Sequence, residues 1–580
     1  MKQFQIAYNG KEGFLSELEK FRKNLTGSEK MAFQIFSEII DADVIGEVSG
    51  AIERVFPETP WFGCSTSGNL VDCQLCADII VVATVFEKKS SQFQIFQYDT
   101  HEQSVEGITK QIMEDAEAYP WVKAIELYFT IPEGSTTGFC DGLVDIRDDI
   151  QIFGGVSCSD DITSDECCVF SSVGGYSEHA ILVVFYGGDD LYVHSIKVTG
   201  WKPLGRKFTV TKAEGSTLYE LNGVPAYDVY NKYLNINNDE NFFYNTLEFP
   251  LFYEHNGTTI LRVPVASNAD RSISMSSDIE VGSTVRISYG DPKTIVESIA
   301  VDSQHIREFC PDLLHIFSCA ARRTFWTSNE PTYELVPFQD IAPSVGFFSH
   351  GEFLRDQSCL NQHNVTLVIA AMREGEADVS EIDVYESTTS LSKIPLVSRL
   401  ATFISATSLE LEEMNNKLIA AAITDGLTGL FNRAETQRRI DNSLANLAQE
   451  KLSLIMMDID NFKQVNDTYG HQEGDAVIVA LADILMAQQK RVNGRIAAGR
   501  WGGEEFMLVL SGIDVSAATM IADLIRQCFE NTRFPSIRSQ TISVGVTQAT
   551  AQDTSDTLCS RVDEALYRAK NTGKNKVVVM

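Results

Sequence analysis

The chain has 580 residues, 44% of them hydrophobic and 22% charged, which is too long for one core and predicts about three to four domains. Eighty acidic residues against 47 basic ones give a net charge of −33, and the imbalance is local: residues 424–580 hold 19 acidic and 17 basic, leaving 61 and 30 in residues 1–423. A front half of that sign argues against nucleic acid or an anionic membrane as its partner, and no stretch approaches the roughly twenty apolar residues of a membrane span. The opening Met1-Lys2-Gln3-Phe4-Gln5 lacks the apolar run of a signal peptide. Twelve cysteines in no regular framework suit a reducing compartment, so a cytoplasmic protein is expected. Cys73-x-x-Cys76 and Cys167-Cys168 have no second cluster at metal-ligand spacing and are expected to be ordinary thiols.

From the N-terminus, residues 30–200 alternate strand and helix signals, with β-branched runs at Asp78–Phe86 and Ala180–Tyr186. Between such signals lie Phe62-Gly63-Cys64-Ser65-Thr66-Ser67-Gly68 and Phe153-Gly154-Gly155-Val156-Ser157. Residues 200–375 contain the blocks His315–Arg322, Val345–Glu352 and His363–Leu367. In this order the blocks resemble the N- and C-terminal halves of a FIST sensory region. The resemblance implies two mixed α/β modules, over 1–200 and 201–385, that bind a small metabolite such as an amino acid. The candidate ligand contacts are Cys64, Ser65 and Thr66, Arg322 and Glu352. The hydroxyl-rich loop would offer backbone N–H groups to a ligand carboxylate, and Arg322 would pair with an acidic group. The plainer readings stay open beside these: a strand-to-helix turn, an internal ion pair, and an acidic front half that docks a basic protein.

Residues 386–423 are predicted to be a coiled-coil signalling helix. Leu400, Ile404, Thr407, Leu411, Met414, Leu418 and Ala421 alternate at spacings of four and three, with Glu410, Glu412, Glu413 and Lys417 outside that seam. A helix packed on its own chain is the alternative.

The final stretch is the richest in chemistry. Thr424-Asp425-Gly426-Leu427-Thr428-Gly429-Leu430 opens it, and an apolar strand, Leu454 to Met457, ends in Asp458-Ile459-Asp460. Two carboxylates at the mouth of such a strand are costly to bring together unless a cation lies between them. Asn466 to Asp475 then form a polar, glycine-containing segment. Arg500-Trp501-Gly502-Gly503-Glu504-Glu505-Phe506 reads as a hairpin whose glycines take φ > 0, followed by carboxylates suited to Mg²⁺ on phosphates. A helix near the C-terminus closes on Lys570, Gly573 and Lys574, a glycine cap with cations within reach of phosphates. Residues 424–580 resemble a GGDEF diguanylate cyclase domain, with the signature blocks in the family's order. The predicted fold class is therefore α/β (α+β), ending in a cyclase-like central mixed sheet flanked by helices.

The resemblance implies a nucleotidyltransferase that condenses two GTP into cyclic di-GMP and two pyrophosphates across a homodimer. It implies two Mg²⁺ (or Mn²⁺) per active site, held by Asp458, the Ile459 carbonyl and Glu504, with Glu505 alongside. Glu504 would accept the proton of the attacking hydroxyl, and Lys463 would stabilise developing charge. Asn466 and Asp475 match guanine-reading positions, His471 a further substrate position, Gly502 and Gly503 the backbone against the nucleotide, and Lys570 and Lys574 phosphate contacts. A degenerate GTP- or cyclic di-GMP-binding module is the competing function, but it would call for lost carboxylates. The Arg-x-x-Asp site through which many such cyclases are inhibited by product is replaced by Asn493 and Ile496, so weak or absent product inhibition is expected.

Overall fold

The computed structural model describes the chain except residues 26–29, 77, 131–135, 161–165, 256, 327–331, 357–358, 378–395, 448–449, 492–494 and 538. It divides into two compact units, Met1–Ser408 and Leu409–Met580.

In the first unit one strand plan is used three times. The first copy contains β1 (Lys2–Ala7), β2 (Lys30–Ser37), β3 (Trp61–Ser65), β4 (Asn69–Val71), β5 (Gln74–Leu75) and β6 (Ile79–Phe86). The second contains β7 (Gln92–Asp99), β8 (Val122–Phe129), β9 (Gln151–Val156), β10 (Val169–Ser171), β11 (Gly175–Ser177) and β12 (Ala180–Gly187). The third begins with β13 (Leu191–Val198). An insertion follows, with β14 (Trp201–Glu214), β15 (Thr217–Leu221), β16 (Val224–Pro225), β17 (Leu251–His255), β18 (Thr258–Arg262), β19 (Pro264–Ser267), β20 (Ile273–Met275) and β21 (Thr284–Gly290) in an eight-stranded sheet of their own. The third copy then resumes with β22 (Leu313–Cys319), β23 (Ser344–Ser349), β24 (Glu352–Asp356), β25 (Cys359–His363) and β26 (Leu367–Glu374).

The copies exchange strands in a ring. The three sheets run β1-β6-β2-β3-β10-β11, β7-β12-β8-β9-β24-β25 and β13-β26-β22-β23-β4-β5. Each copy thus keeps four strands and lends its short hairpin to another: β4–β5 to β23, β10–β11 to β3, β24–β25 to β9. The parallel pairs β2·β3, β8·β9 and β22·β23 are crossed over by helices that begin at Ala42, Thr136 and Ala320. Gly63, Gly154 and Gly346 occupy the same register in the three copies. A Cβ at each would stand about 2 Å from the carbonyl oxygen of Ile35, Leu127 and Ile316 (1.8, 2.1 and 1.8 Å), so the close strand approach excludes any side chain.

The inner faces of the three sheets share one core, with Phe36, Phe62, Tyr128, Phe153, Phe317 and Phe347 packed together. Gln34, Glu126 and His315 hold equivalent positions, one residue before those carbonyls, and form a buried polar cluster. Glu126 accepts from Tyr128 and Tyr186 (2.7 Å each) and lies 2.9 Å from His315 Nδ1. Gln34 Nε2 donates to the Tyr128 hydroxyl (3.3 Å). The outer faces are covered by helices, each sheet with its own cluster.

The helix Leu396–Ile423 spans the boundary between the units; residues 386–395 of the predicted coil lie outside the described residues. Its seam residues Leu400, Ile404, Leu411, Met414 and Leu418 are 44–73% exposed.

The second unit is a five-stranded sheet, β28-β29-β27-β30-β31, of β27 (Leu452–Ile459), β28 (Ile496–Arg500), β29 (Glu505–Ser511), β30 (Ile542–Gln548) and β31 (Val577–Val579). All eight residues of β27 are buried, as a central strand with helices on both faces must be. One face meets the helices His471–Arg491 and Val515–Glu530, the other Arg433–Ala445 and Ser555–Asn571. Ile496 starts β28 buried in this core, and Asn493 lies outside the described residues.

Candidate active site

The exit of β27 delivers Asp458 beside Glu505 of β29 and Ser543 of β30. Asp458 is buried, and Lys570, from the last turn of Ser555–Asn571, places its Nζ 2.7 Å from Oδ2. Burial pushes the Asp458 carboxyl up to about 6, with Glu504 and Glu505 adding to the rise and Lys570 opposing it. Burial is the larger cause, and the like charges of the two neighbouring carboxylates act in the same direction.

Between β28 and β29 the chain turns through Trp501–Glu504, closed by the Trp501 and Gly502 N–H groups on the Glu505 carbonyl (2.8 and 3.2 Å). The expected φ > 0 at this glycine pair is not found, since neither Gly502 nor Gly503 is in the left-handed region. A Cβ on Gly502 would come within 2.7 Å of Glu505 Oε2, the movable end of a side chain, and Gly503 faces open space, so neither glycine is required by close packing within the chain. The turn is also clamped from behind. Arg500 donates to the Gly503 carbonyl (Nη2, 2.7 Å) and to both oxygens of Asp425 (3.1 and 3.3 Å). Against the cost of partial burial, hydrogen bonds from Thr428 and the Arg500 guanidinium hold Asp425 below the ordinary carboxylate range.

Beyond β27, Asn461 takes a left-handed φ of 58° and starts the helix Phe462–Tyr469. Lys463 is exposed on its first turn and Asn466 is half-buried. Gly474, on the next helix, leaves room for Asn466: a Cβ there would fall 2.0 Å from Asn466 Oδ1. His471 and Asp475 are exposed on the first turns of that helix. Lys574, in the turn after the last helix, donates to Asn461 Oδ1 (2.6 Å). Asp458, Glu504, Glu505 and Lys570 thus share one corner, with Asn461 and Lys574 beside it.

The candidates of the first unit are placed differently. Cys64 and Ser65 end β3, and Thr66 follows, all buried. The expected free N–H groups are not free: Ser65 N donates to the Cys168 carbonyl, Thr66 N to Ser37 and Ser67 N to Phe348 (2.9, 2.9 and 3.1 Å). This segment is where hairpins cross between repeats, so its amides belong to the fold. Arg322 is likewise internal. It forks onto Glu334 (Nε–Oε1 2.9 Å) and donates to the Thr199 and Val365 carbonyls (2.8 and 3.0 Å) over the Trp201 ring. Glu352 begins β24, fully buried, accepting from Ser349 Oγ (2.7 Å). Burial drives its carboxyl well above the ordinary range, against bonds from Ser349, Thr366 and Cys319.

Comparison with known proteins follows this division. Residues 422–576 match the family described as diguanylate cyclase, GGDEF domain; residues 32–224 match the FIST N domain and 226–355 the FIST C domain. The chain carries a GGDEF domain behind a FIST region. Among curated proteins it is similar to the diguanylate cyclase DgcM of Escherichia coli K12, 36% identical over 29% of this chain and 41% of DgcM. It is also similar to the diguanylate cyclase VdcA of Vibrio cholerae, 36% identical over 30% of this chain and 53% of VdcA. The response regulator PleD of Caulobacter vibrioides is 35% identical over 27% and 36%. The chain thus spans about half or less of the curated relatives it matches.

The donor chemistry of the GGDEF corner fits a hard divalent cation, with carboxylate oxygens whose repulsion a single ammonium only partly offsets. Among the described residues, no three His, Cys, Asp or Glu side chains come together as a group that could hold a metal ion; in this structure Lys570 is the cation on Asp458. Asp460, the second acid of the strand-end pair, is turned away and bonded to Thr541 and Ser543. Sequence reading gave no role to Asp425, Arg500, Asn461 or Asn575. The Thr424–Leu430 and Arg500–Phe506 blocks were the available signals for Asp425 and Arg500, while Asn461 and Asn575 became visible only through contacts remote in sequence. Among the described residues, no helix is long and apolar enough to cross a membrane.

Proposed function

We propose that this chain is a cytoplasmic sensory diguanylate cyclase. Two copies, each holding GTP on its GGDEF domain, join the nucleotides into cyclic di-GMP and release two pyrophosphates. The observation that carries this reading is the under-compensated carboxylate corner of Asp458, Glu504 and Glu505 against Lys570, inside a matched GGDEF domain.

Asp458, the Ile459 carbonyl and Glu504 would hold two Mg²⁺ or Mn²⁺, with Glu505 adjacent. When bound, these ions supply polarisation of the α-phosphate and a lowered hydroxyl pKa. Each ribose 3′-oxygen forms a bond to the α-phosphorus of the other nucleotide as that phosphorus loses pyrophosphate. Glu504 takes the hydroxyl proton, and Lys463 offsets charge that grows in the transition state. Lys570 exchanges Asp458 for nucleotide phosphate, and Lys574 adds a second ammonium. Asn466 and Asp475 read the guanine edge, His471 contacts substrate, and Gly502 and Gly503 let it lie against the turn.

The exposed seam of Leu396–Ile423 supports a parallel two-stranded coil, which would hold two GGDEF domains at high effective concentration. A small metabolite bound to the FIST region, organised as modules 1–200 and 201–385, would bias that encounter through unequal affinity for two coil arrangements. Its candidate contacts are Cys64, Ser65, Thr66, Arg322 and Glu352; of these, Arg322 and the Ser65 and Thr66 amides are already bonded within the fold.

The test is a mixed dimer. Wild-type chain combined with a large excess of Glu504→Ala has one working half-site per dimer and should accumulate the linear, singly joined dinucleotide. Cyclic product alone, in proportion to added wild type, would refute condensation across two chains.

A further inference from the structure

Asp460 is 4% exposed, and a charge so placed must be met by donors. Three meet it: Thr541 Oγ1 (2.7 Å) and the Asn575 backbone N–H (3.1 Å) on Oδ2, and Ser543 Oγ (2.6 Å) on Oδ1. The first and third bonds stay near the neighbouring strand β30. The bond to Asn575 joins the exit of β27 to the turn that follows the last helix. In that turn Lys574 and Asn575 both have left-handed φ, 63° and 44°, a region that Asn tolerates and that is uncommon for Lys. Arg526 Nη1 also donates to Asn575 Oδ1 (2.9 Å), and Asn575 Nδ2 donates to Glu530 (2.8 Å). On either side of Asp460 the chain receives a lysine from the same segment, Asp458 taking Lys570 and Asn461 taking Lys574.

We infer that Asp460 is a positioning residue. It pins the left-handed Lys574–Asn575 turn to the end of β27 and so fixes where the Lys574 ammonium stands for nucleotide phosphate. Its oxygens serve three protein donors, which is a different task from that of Asp458. The substrate part of the inference rests on the cyclase reading; the anchoring part does not.

The test uses the full chain and its Asp460→Ala variant, which leaves no side-chain oxygen to accept from Asn575. Without nucleotide, exchange of the Asn575 amide should be at least about tenfold faster in the variant, with β30 amides unchanged. In turnover, KM for GTP should rise about tenfold with kcat within about threefold, as loss of uniform phosphate binding requires. In a Lys574→Ala background the same substitution should alter KM less than about twofold. Unchanged Asn575 exchange, independent effects in the double variant, or a kcat loss near a hundredfold at constant KM would overturn the inference. Should Asp460→Ala fail to fold, wild-type exchange decides: the Asn575 amide should be protected at least about a hundredfold despite lying in a turn, and an unprotected amide would overturn the anchor. A wild-type chain that makes no cyclic dinucleotide removes the kinetic arm and the cyclase reading, while the exchange arm still stands.

Discussion

In the FIST region Arg322 is fully buried and spends its guanidinium on Glu334 and backbone carbonyls. In the GGDEF domain Asp458 faces two further carboxylates with one ammonium to offset them. Both are polar residues in distinctive sequence blocks, yet Arg322 meets only groups of its own fold, whereas Asp458 has two more carboxylates beside its one lysine partner. A buried polar residue met by complementary protein groups holds the fold together, whereas one set beside like charges can serve a substrate or ion. The same test separates Asp460 from Asp458, two residues apart.

The comparison can be broken first at Arg322. Arg322→Ala leaves Glu334 buried and unpaired, and should destabilise the N-terminal unit by about 3–5 kcal/mol, read by denaturant unfolding while the GGDEF transition stays in place. A loss under about 1 kcal/mol would mean that the pair is not sealed from water. The second break is at the coil. Leu411→Glu with Leu418→Glu should give monomers in sedimentation and lower turnover about tenfold or more at submicromolar protein, recovering with concentration. Turnover independent of concentration would remove the coil from the account.

Glu352 sharpens the comparison through pH. Its folded carboxyl lies well above the ordinary value of 4.5 because of burial, so between those values the folded state holds the proton that the unfolded state has lost. The sign follows: stability is fully present below about pH 4.5 and falls as pH rises through the folded value. Glu352→Gln should abolish that fall, seen as a flatter dependence of Tm on pH, and an unchanged profile would contradict it. The smallest effect is expected from product. Ile496 buries an apolar side chain where an inhibitory carboxylate would stand, so added cyclic di-GMP should change the rate less than about twofold; strong non-competitive inhibition would reverse that reading.

Much of the GGDEF domain was legible because its chemistry is local. Asp458 ends an apolar strand, Glu504 and Glu505 follow a glycine pair, and Lys570 and Lys574 close a helix, each readable within ten residues. What was hidden depends on contacts across more than a hundred positions, such as Lys574 on Asn461 or Asn575 on Asp460. The glycine pair was read as a matter of φ, and the structure places neither glycine in the left-handed region. In the FIST region the blocks Phe62-Gly63 and Phe153-Gly154 were in plain view, and they mark equivalent positions of a threefold repeat. The ring exchange itself was not readable. Its linking strand Asn69–Val71 is three residues long and pairs with Val345–Phe347, too short for a periodic signal and too distant for a local one.

The central claim is tested most directly by incubating the purified full-length chain with GTP and Mg²⁺ and resolving the nucleotides by chromatography. One cyclic di-GMP and two pyrophosphates per two GTP are expected, with a loss of about a thousandfold or more in Glu504→Ala. Unconsumed GTP from a folded, dimeric wild-type preparation, across metal ions and protein concentrations, would contradict it.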